Sequence, residues 1–236
     1  MIICSCGNEP EAPENKKENP VTVQFFETYD IDDIKEEWLD AFKWTAETSP
    51  QSTDSEKEWA EQFTVKGLRS VVINGYEHAI ALVKTEDIPA VDSMLAIPEV
   101  AKRFPKDLRF MWSKYEQEDP ATPFKGCFLY AVRIPANQKA PVDSHDILES
   151  IPADSDQNQL VDLHITMTEN GARKLEKFTR KNENKAIAVI LEGKVVSCPL
   201  IREPIKYQMN ISSFTMEQAG EISDRINAGR YETTKK

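Results

Sequence analysis

The sequence predicts an α+β fold, on three observations. Short runs rich in β-branched and aromatic residues read as strands, as in VTVQFFE (21–27) and CFLYAVRI (127–134). Elsewhere apolar residues recur at spacings of three and four, the period of a helix with one buried face. The two kinds of segment are mixed rather than strictly alternating, and tight-turn signals such as Asn74-Gly75 join neighbouring strands.

Taken in order, residues 1–20 are expected to be a flexible tether. GNEPEAPENKKENP (7–20) is polar, charged and punctuated by proline, so it cannot bury a core. Val21 to Glu27 is a strand. Asp30 to Ala46 is a helix, with Ile31, Ile34, Trp38, Phe42 and Thr45 on one face and Asp30, Asp32 and Asp33 at its positive end. Val65 to Ile73 and Ala79 to Val83 should pair around Asn74-Gly75. Ile88 to Phe104 is helical, Pro98 opening a second turn, and Leu108 to Tyr115 is a strand. This order, βαββαβ, predicts a ferredoxin-like base over residues 21–118.

Gln117 to Gly126 is a polar, proline-bearing break, and a second subdomain is expected over residues 119–236. Cys127 to Ile134 is a strand, Ser144 to Ser150 a short helix, and Ile151 to Gln159 a loop. Leu160 to Met167 alternates as a half-buried strand. Thr168 caps a helix whose core face carries Ala172, Leu175 and Phe178. Lys185 to Leu191 and Val195 to Leu200 pair around Glu192-Gly193-Lys194. Thr215 to Gln218 has the form of a capping box, Ala219, Ile222 and Ile226 make the buried stripe, and Gly229 is the expected C′ residue.

The chain of 236 residues is 40% hydrophobic and 29% charged, with a net charge of −11. That charge disfavours nucleic acid and anionic membrane surfaces as partners. No stretch approaches the ~18 consecutive apolar residues of a membrane span. Of four cysteines, Cys4 and Cys6 open the chain. Three readings stand for this pair: the remnant of a lipoprotein signal with Cys6 as the lipidated residue, incidental thiols, or a metal pair that lacks a partner motif. Cys127 and Cys198 lie in strand-like apolar surroundings and read as small buried hydrophobes, a disulfide between them being left open.

Catalytic chemistry finds no footing. His78, His145 and His164 have no metal-ligand spacing, Glu36-Glu37 reads as a solvated helix face, and Ser197-Cys198-Pro199 lacks an identifiable base. No phosphate-binding loop or nucleophile elbow is present. The expectation is a protein without enzymatic activity, cofactor or metal. Arg202-Glu203-Pro204 carries two readings. In one, Arg202 pairs with a carboxylate while Pro204, lacking an N–H, ends strand pairing. In the other, this strand end borders a groove for an extended polypeptide held by β-augmentation.

Several of these segments, in order, resemble the first periplasmic domain of the SecD/SecDF protein-export family. ITMTENGARKLEKFT resembles that domain's strand and helix. AIAVILEGKVVSCPLIREPI resembles its hairpin, with Glu192 and Gly193 at the turn and Arg202, Glu203 and Pro204 following. FTMEQAGEISDRINAG resembles its closing helix, and LYAVRI with DILES the entry to the subdomain called the head. The head resemblance spans Cys127 to Gly229, while Val21 to Tyr115 matches the base by element order only. Three departures accompany it. The membrane spans that follow the closing helix are not in this sequence, a glycine-rich turn after the hairpin is replaced by KYQMNISS, and the small residue before the proline is Cys198.

The resemblance implies a non-enzymatic, extracytoplasmic SecD-head-like protein on the periplasmic side of the cell envelope, lipid-anchored through Cys6. Its partners would be unfolded or extended polypeptide, or envelope proteins, in connection with export. The alternative is a structural or small-ligand-binding envelope lipoprotein that reuses the fold. Without an upstream signal, the expectation is a cytoplasmic protein.

Overall fold

The computed structural model describes residues 23–48, 78–118, 125–154 and 161–231, and in them the chain forms a mixed α/β protein with two antiparallel sheets. The larger sheet is built around β1 (Val23–Tyr29) and β5 (Lys125–Arg133). β1 pairs on one side with β9 (Ile187–Leu191), which continues to β10 (Lys194–Ser197). On its other side β1 meets β5 and the short β6 (Val142–Asp143). β5 also holds β2 (Ala81–Val83), β3 (Leu108–Trp112) and β4 (Gln117–Glu118). The smaller sheet has the order β11 (Gln208–Phe214), β8 (Val161–Met167), β7 (Ile147–Asp154).

Helices α1 (Lys35–Thr48), α2 (Ile88–Leu95) and α3 (Pro98–Ala101) cover one end of the large sheet. Their core gathers Ile34, Trp38, Val91 and Val100 with Leu129 and Ala131 of β5. Helices α4 (Glu169–Lys181) and α5 (Met216–Tyr231) pack with the small sheet in a second core. There Leu163, Leu175, Phe214 and Ile222 meet Val23 and Phe25 of β1. Side chains alternate across a strand, so Phe26, Phe128, Tyr130 and Val132 face the opposite way and form a third cluster with Ala188, Ile190 and Val195.

Local signals place most of these elements where the sequence expects them. Thr168 Oγ1 accepts from Gly171 N–H at 3.0 Å, capping α4, and Thr215 and Gln218 exchange the two bonds of a capping box at the start of α5. Glu192 and Gly193 both take positive φ, the signature of a two-residue hairpin turn whose twist matches the strands.

Among the described residues the strands of the expected base do not pair with one another. β1 and β3 both pair with β5 rather than with each other, so a strand from beyond residue 118 completes it. The expected break at 117–126 is in part a ladder, Gln117 opposite Gly126. The short helix expected over residues 144–150 is confined to a single 3-10 turn at Ser144–Asp146, capped by Asp143; it leads into β7, which extends through the expected loop to Asp154 because β8 supplies its ladder. KYQMNISS is largely strand β11, since Met209 and Ile211 alternate inward against β8. The closing helix runs past Gly229 to Tyr231. The tether, Cys6 and the Val65–Ile73 strand lie outside the described residues.

Candidate functional site

The Arg202–Pro204 segment and the Glu192–Gly193 turn occupy opposite ends of the β9–β10 hairpin. At about 3.3 Å per residue, the five residues of β9 separate them by roughly 16 Å. The hairpin ladder extends as far as Ile201, whose N–H donates to the Lys185 carbonyl at 2.9 Å, and stops before Arg202. Arg202 and Glu203 are exposed and Pro204 is half-buried. No carboxylate pairs with Arg202 among the described residues. The chain is recaptured at Ile205, whose N–H donates to the buried Thr179 Oγ1 of α4 at 2.9 Å. This exposed bridge delivers the chain from the large sheet to β11.

β11 forms one edge of the small sheet and β7 the other, and the two edges differ. On β7 the outward N–H of Ser150 donates to Asn227 Oδ1 at 3.2 Å, and its carbonyl accepts from Asn227 Nδ2 at 2.9 Å and from Ser223 Oγ at 2.7 Å. One asparagine amide thus stands in for a neighbouring strand. Two residues on, Pro152 has no N–H to offer, so β7 is closed to strand addition.

On β11 the Tyr207 carbonyl accepts from Met167 N–H at 2.8 Å, which sets the register. Gln208 and Asn210 therefore direct their N–H and C=O groups away from β8. No strand pairs on that side among the described residues, and Tyr207, 59% exposed, flanks the start of the edge.

At the other end of the hairpin, Glu192 belongs to a charge cluster. Lys114 Nζ lies 2.8 Å from Glu221 Oε1 and 3.3 Å from Glu192 Oε2, and Arg225 bonds to Glu192 and lies 3.4 Å from Glu221. The Lys114 hydrogen bond, with the Lys114 and Arg225 charges, holds the Glu221 carboxyl below its usual range against the opposing effect of burial. Beneath them the Tyr115 hydroxyl is buried beside Glu221 without reaching hydrogen-bond geometry. Burial first, and the Glu221 charge second, push its pKa up to about 12. The cluster clasps α5 to the hairpin turn and to the segment after β3.

The remaining candidates do not converge. His78 Nδ1 is 2.9 Å from Asp30 Oδ1, His145 Nδ1 is 3.0 Å from Asp143 Oδ1, and His164 sits exposed on β8. Among the described residues no three His, Cys, Asp or Glu side chains are grouped to hold a metal. Glu36 is exposed and Glu37 half-buried. Cys127 and Cys198 are free thiols. Burial, then the Asp30 charge, raises the Cys198 pKa, which keeps it protonated, the reverse of what a nucleophile needs. Neither the edge contrast nor the charge clasp is visible in sequence spacing, since Ser150 and Asn227 lie 77 residues apart and Lys114 and Glu221 107.

The class this defines is an antiparallel α/β protein whose small sheet leaves β11 unpaired on its outer side among the described residues, with a clasped closing helix. Residues 131–231 match the family described as the SecDF P1 head subdomain. The translocase subunit SecD of Dictyoglomus turgidum is 33% identical over 69 residues, covering 28% of this chain and 17% of that protein. SecD of Rickettsia bellii is 30% identical over 94 residues, covering 39% and 18%. The chain thus spans less than a fifth of the length of these relatives. A solved structure of SecDF, described as a membrane component that enhances protein export, aligns over 86% of this chain and 92% of its own at 19% identity, with a TM-score of 0.35. No helix among the described residues is long and apolar enough to cross a membrane.

Proposed function

We propose that this chain is a non-enzymatic, extracytoplasmic SecD-head-like protein that takes part in protein export by holding extended polypeptide. The observation that carries the reading is the open outer edge of β11 beside the closed edge of β7. An extended segment adding to β11 would be held by main-chain hydrogen bonds that ignore sequence, which suits many different clients. The exposed Arg202–Glu203–Pro204 bridge borders the start of this edge, and Glu192–Gly193 anchors the far end of the hairpin through its clasp. In this reading Arg202 is an unpaired cation available to a client carboxylate.

The experiment places a photocrosslinking residue at Gln208 or Asn210 and offers unfolded secretory clients. Crosslinks at these positions, absent with a folded control and absent from Glu149 on the opposite strand, support the reading. Equal capture from both strands, or none, ends it.

Three finer features belong to the same proposal. The protein sits on the periplasmic side of the envelope, anchored through Cys6, on the strength of the Ile3-Cys4-Ser5-Cys6 run before a charged tether. Labelled acyl chain that enters Cys6→Ser as readily as the unaltered protein would refute the anchor. Residues 21–118 form a base that is ferredoxin-like in element order, completed by β5, and 119–236 form the head. The two are lobes on a shared sheet, supported by their separate apolar cores. Limited proteolysis within 119–124 should then leave both fragments associated; their separation as folded units would contradict a shared sheet.

A further inference from the structure

The base lobe carries a cleft that the edge-strand reading does not use. It has a volume of about 500 Å³ and opens between α2, α3 and β3. Its apolar floor includes Leu95, Phe104 and Phe110, where Phe104 and Phe110 meet edge-to-face at 4.9 Å. Three cations line it: Lys102 just after α3, Lys106 in the following turn and Arg109 on β3, all exposed. Most other cations near the described surface are engaged by carboxylates, as Arg103 is by Asp40 and Lys174 by Asp146. These three make no ion pair among the described residues; Arg109 spends its guanidinium on the carbonyls of Lys106 and Leu108. Asp92, the acidic residue of the lining, is occupied by the Trp112 indole N–H at 2.8 Å.

In a chain of net charge −11, three cations without an ion pair among the described residues over an aromatic floor concentrate charge of the sign opposite to the average. We infer that this cleft docks an acidic, extended segment of a partner polypeptide, with one aromatic or large aliphatic side chain set on the Phe104–Phe110 floor and its carboxylates along the Lys102–Lys106–Arg109 rim. The cations are spread over a helix end, a turn and a strand. That spacing suits several carboxylates along a chain rather than one compact anion, and the volume falls in the range of sites that seat a few residues. Charge complementarity would set the encounter rate and the specificity, and the floor the residence time. The inference stands apart from the β11 edge, which lies on the other lobe.

The test is a fluorescence-anisotropy titration of a short labelled peptide of alternating Glu and Phe. Binding should fall as salt is raised. The triple variant Lys102→Glu, Lys106→Glu, Arg109→Glu, all at exposed positions, should weaken it at least about tenfold, with unchanged melting temperature showing that the fold persists. Replacing the peptide's Phe residues by Ala should weaken it by a similar factor. Equal affinity for the triple variant, equal affinity for the Ala peptide, or competition by inorganic phosphate or by anionic phospholipid vesicles that themselves bind more tightly than the peptide would each overturn the inference. Loss of β11 crosslinking leaves these outcomes unchanged, so the two readings fail separately.

Discussion

The two largest apolar cores, which the proposal assigns to head and base, differ in where their residues come from. The head core is drawn from residues 142–226 plus two side chains of β1, Val23 and Phe25. The base core is drawn from residues 29–108 plus two side chains of β5, Leu129 and Ala131. Each lobe therefore lends a strand to the other. Because the sheet between them is held in common, the expected outcome is that the two cores unfold together.

The strongest way to break this comparison is to hollow one lobe and watch the other. All four tryptophans lie between residues 38 and 112, so tryptophan fluorescence reports the base lobe while far-ultraviolet dichroism reports both. Phe25→Ala, in the head core, should cost about 3–5 kcal/mol, and Leu129→Ala, in the base core, about 2–5 kcal/mol. Under urea, Phe25→Ala should shift the fluorescence and dichroism transitions together. A fluorescence transition left in place would mean that the lobes unfold independently.

Glycine substitutions sharpen the same point. A Cβ on Gly126 would fall on the Val83 carbonyl in the base, and one on Gly171 would fall on the Asp146 carbonyl in the head. Asp146 is held there by Lys174 Nζ at 2.8 Å and, at 2% exposure, is almost wholly buried. Both Ala variants should lose about 2–3 kcal/mol, since neither carbonyl belongs to a side chain that could turn aside. A loss under about 1 kcal/mol at either would show a looser contact. Gly220 on α5 has open space around it and an ordinary φ. Gly220→Ala should stabilise by about 0.5–1 kcal/mol, raising the urea midpoint. A lowered midpoint would place an unseen constraint at that turn.

The smallest effect is the pH dependence of the clasp. Glu221 has a folded-state pKa below its unfolded value, so its contribution is present above the unfolded value and is lost as pH falls through the folded one. The window lies below the usual glutamate value of about 4.3. With its side chain 38% exposed, screening limits the contribution to roughly a few tenths of a kcal/mol. Glu221→Gln should flatten the fall in urea midpoint between neutral and acid pH by that amount; an identical slope would show that the clasp carries no net stability.

What the sequence makes legible here is what it encodes locally. Thr168 with Gly171, Thr215 with Gln218, and Glu192-Gly193 are contacts between near neighbours, and the elements they bound stand where spacing puts them. β7 and β11 are less legible, for different reasons. Ile147–Asp154 has no clean alternation and becomes a strand because β8 offers a ladder. In β11 the Met209, Ile211 alternation was present but sat where a resemblance suggested a turn. The shared sheet was illegible: Val23 opposite Leu191 leaves no trace in a window of a dozen residues. The candidate edge was half legible. Arg202–Pro204 marks its approach, while the asparagine that closes the opposite edge carries no signal of its own.

The place of β1 bears on how the protein is made. β1 is synthesised before the two strands between which it sits, β5 and β9, and these flanks are filled only after residues 133 and 191 have emerged. Until then a nascent chain carries Phe25 and Phe26 on a ribbon with no neighbours on either side. Completion of the large sheet therefore waits for β9, and a product truncated short of it keeps β1 with an unpaired edge, the form most prone to aggregate.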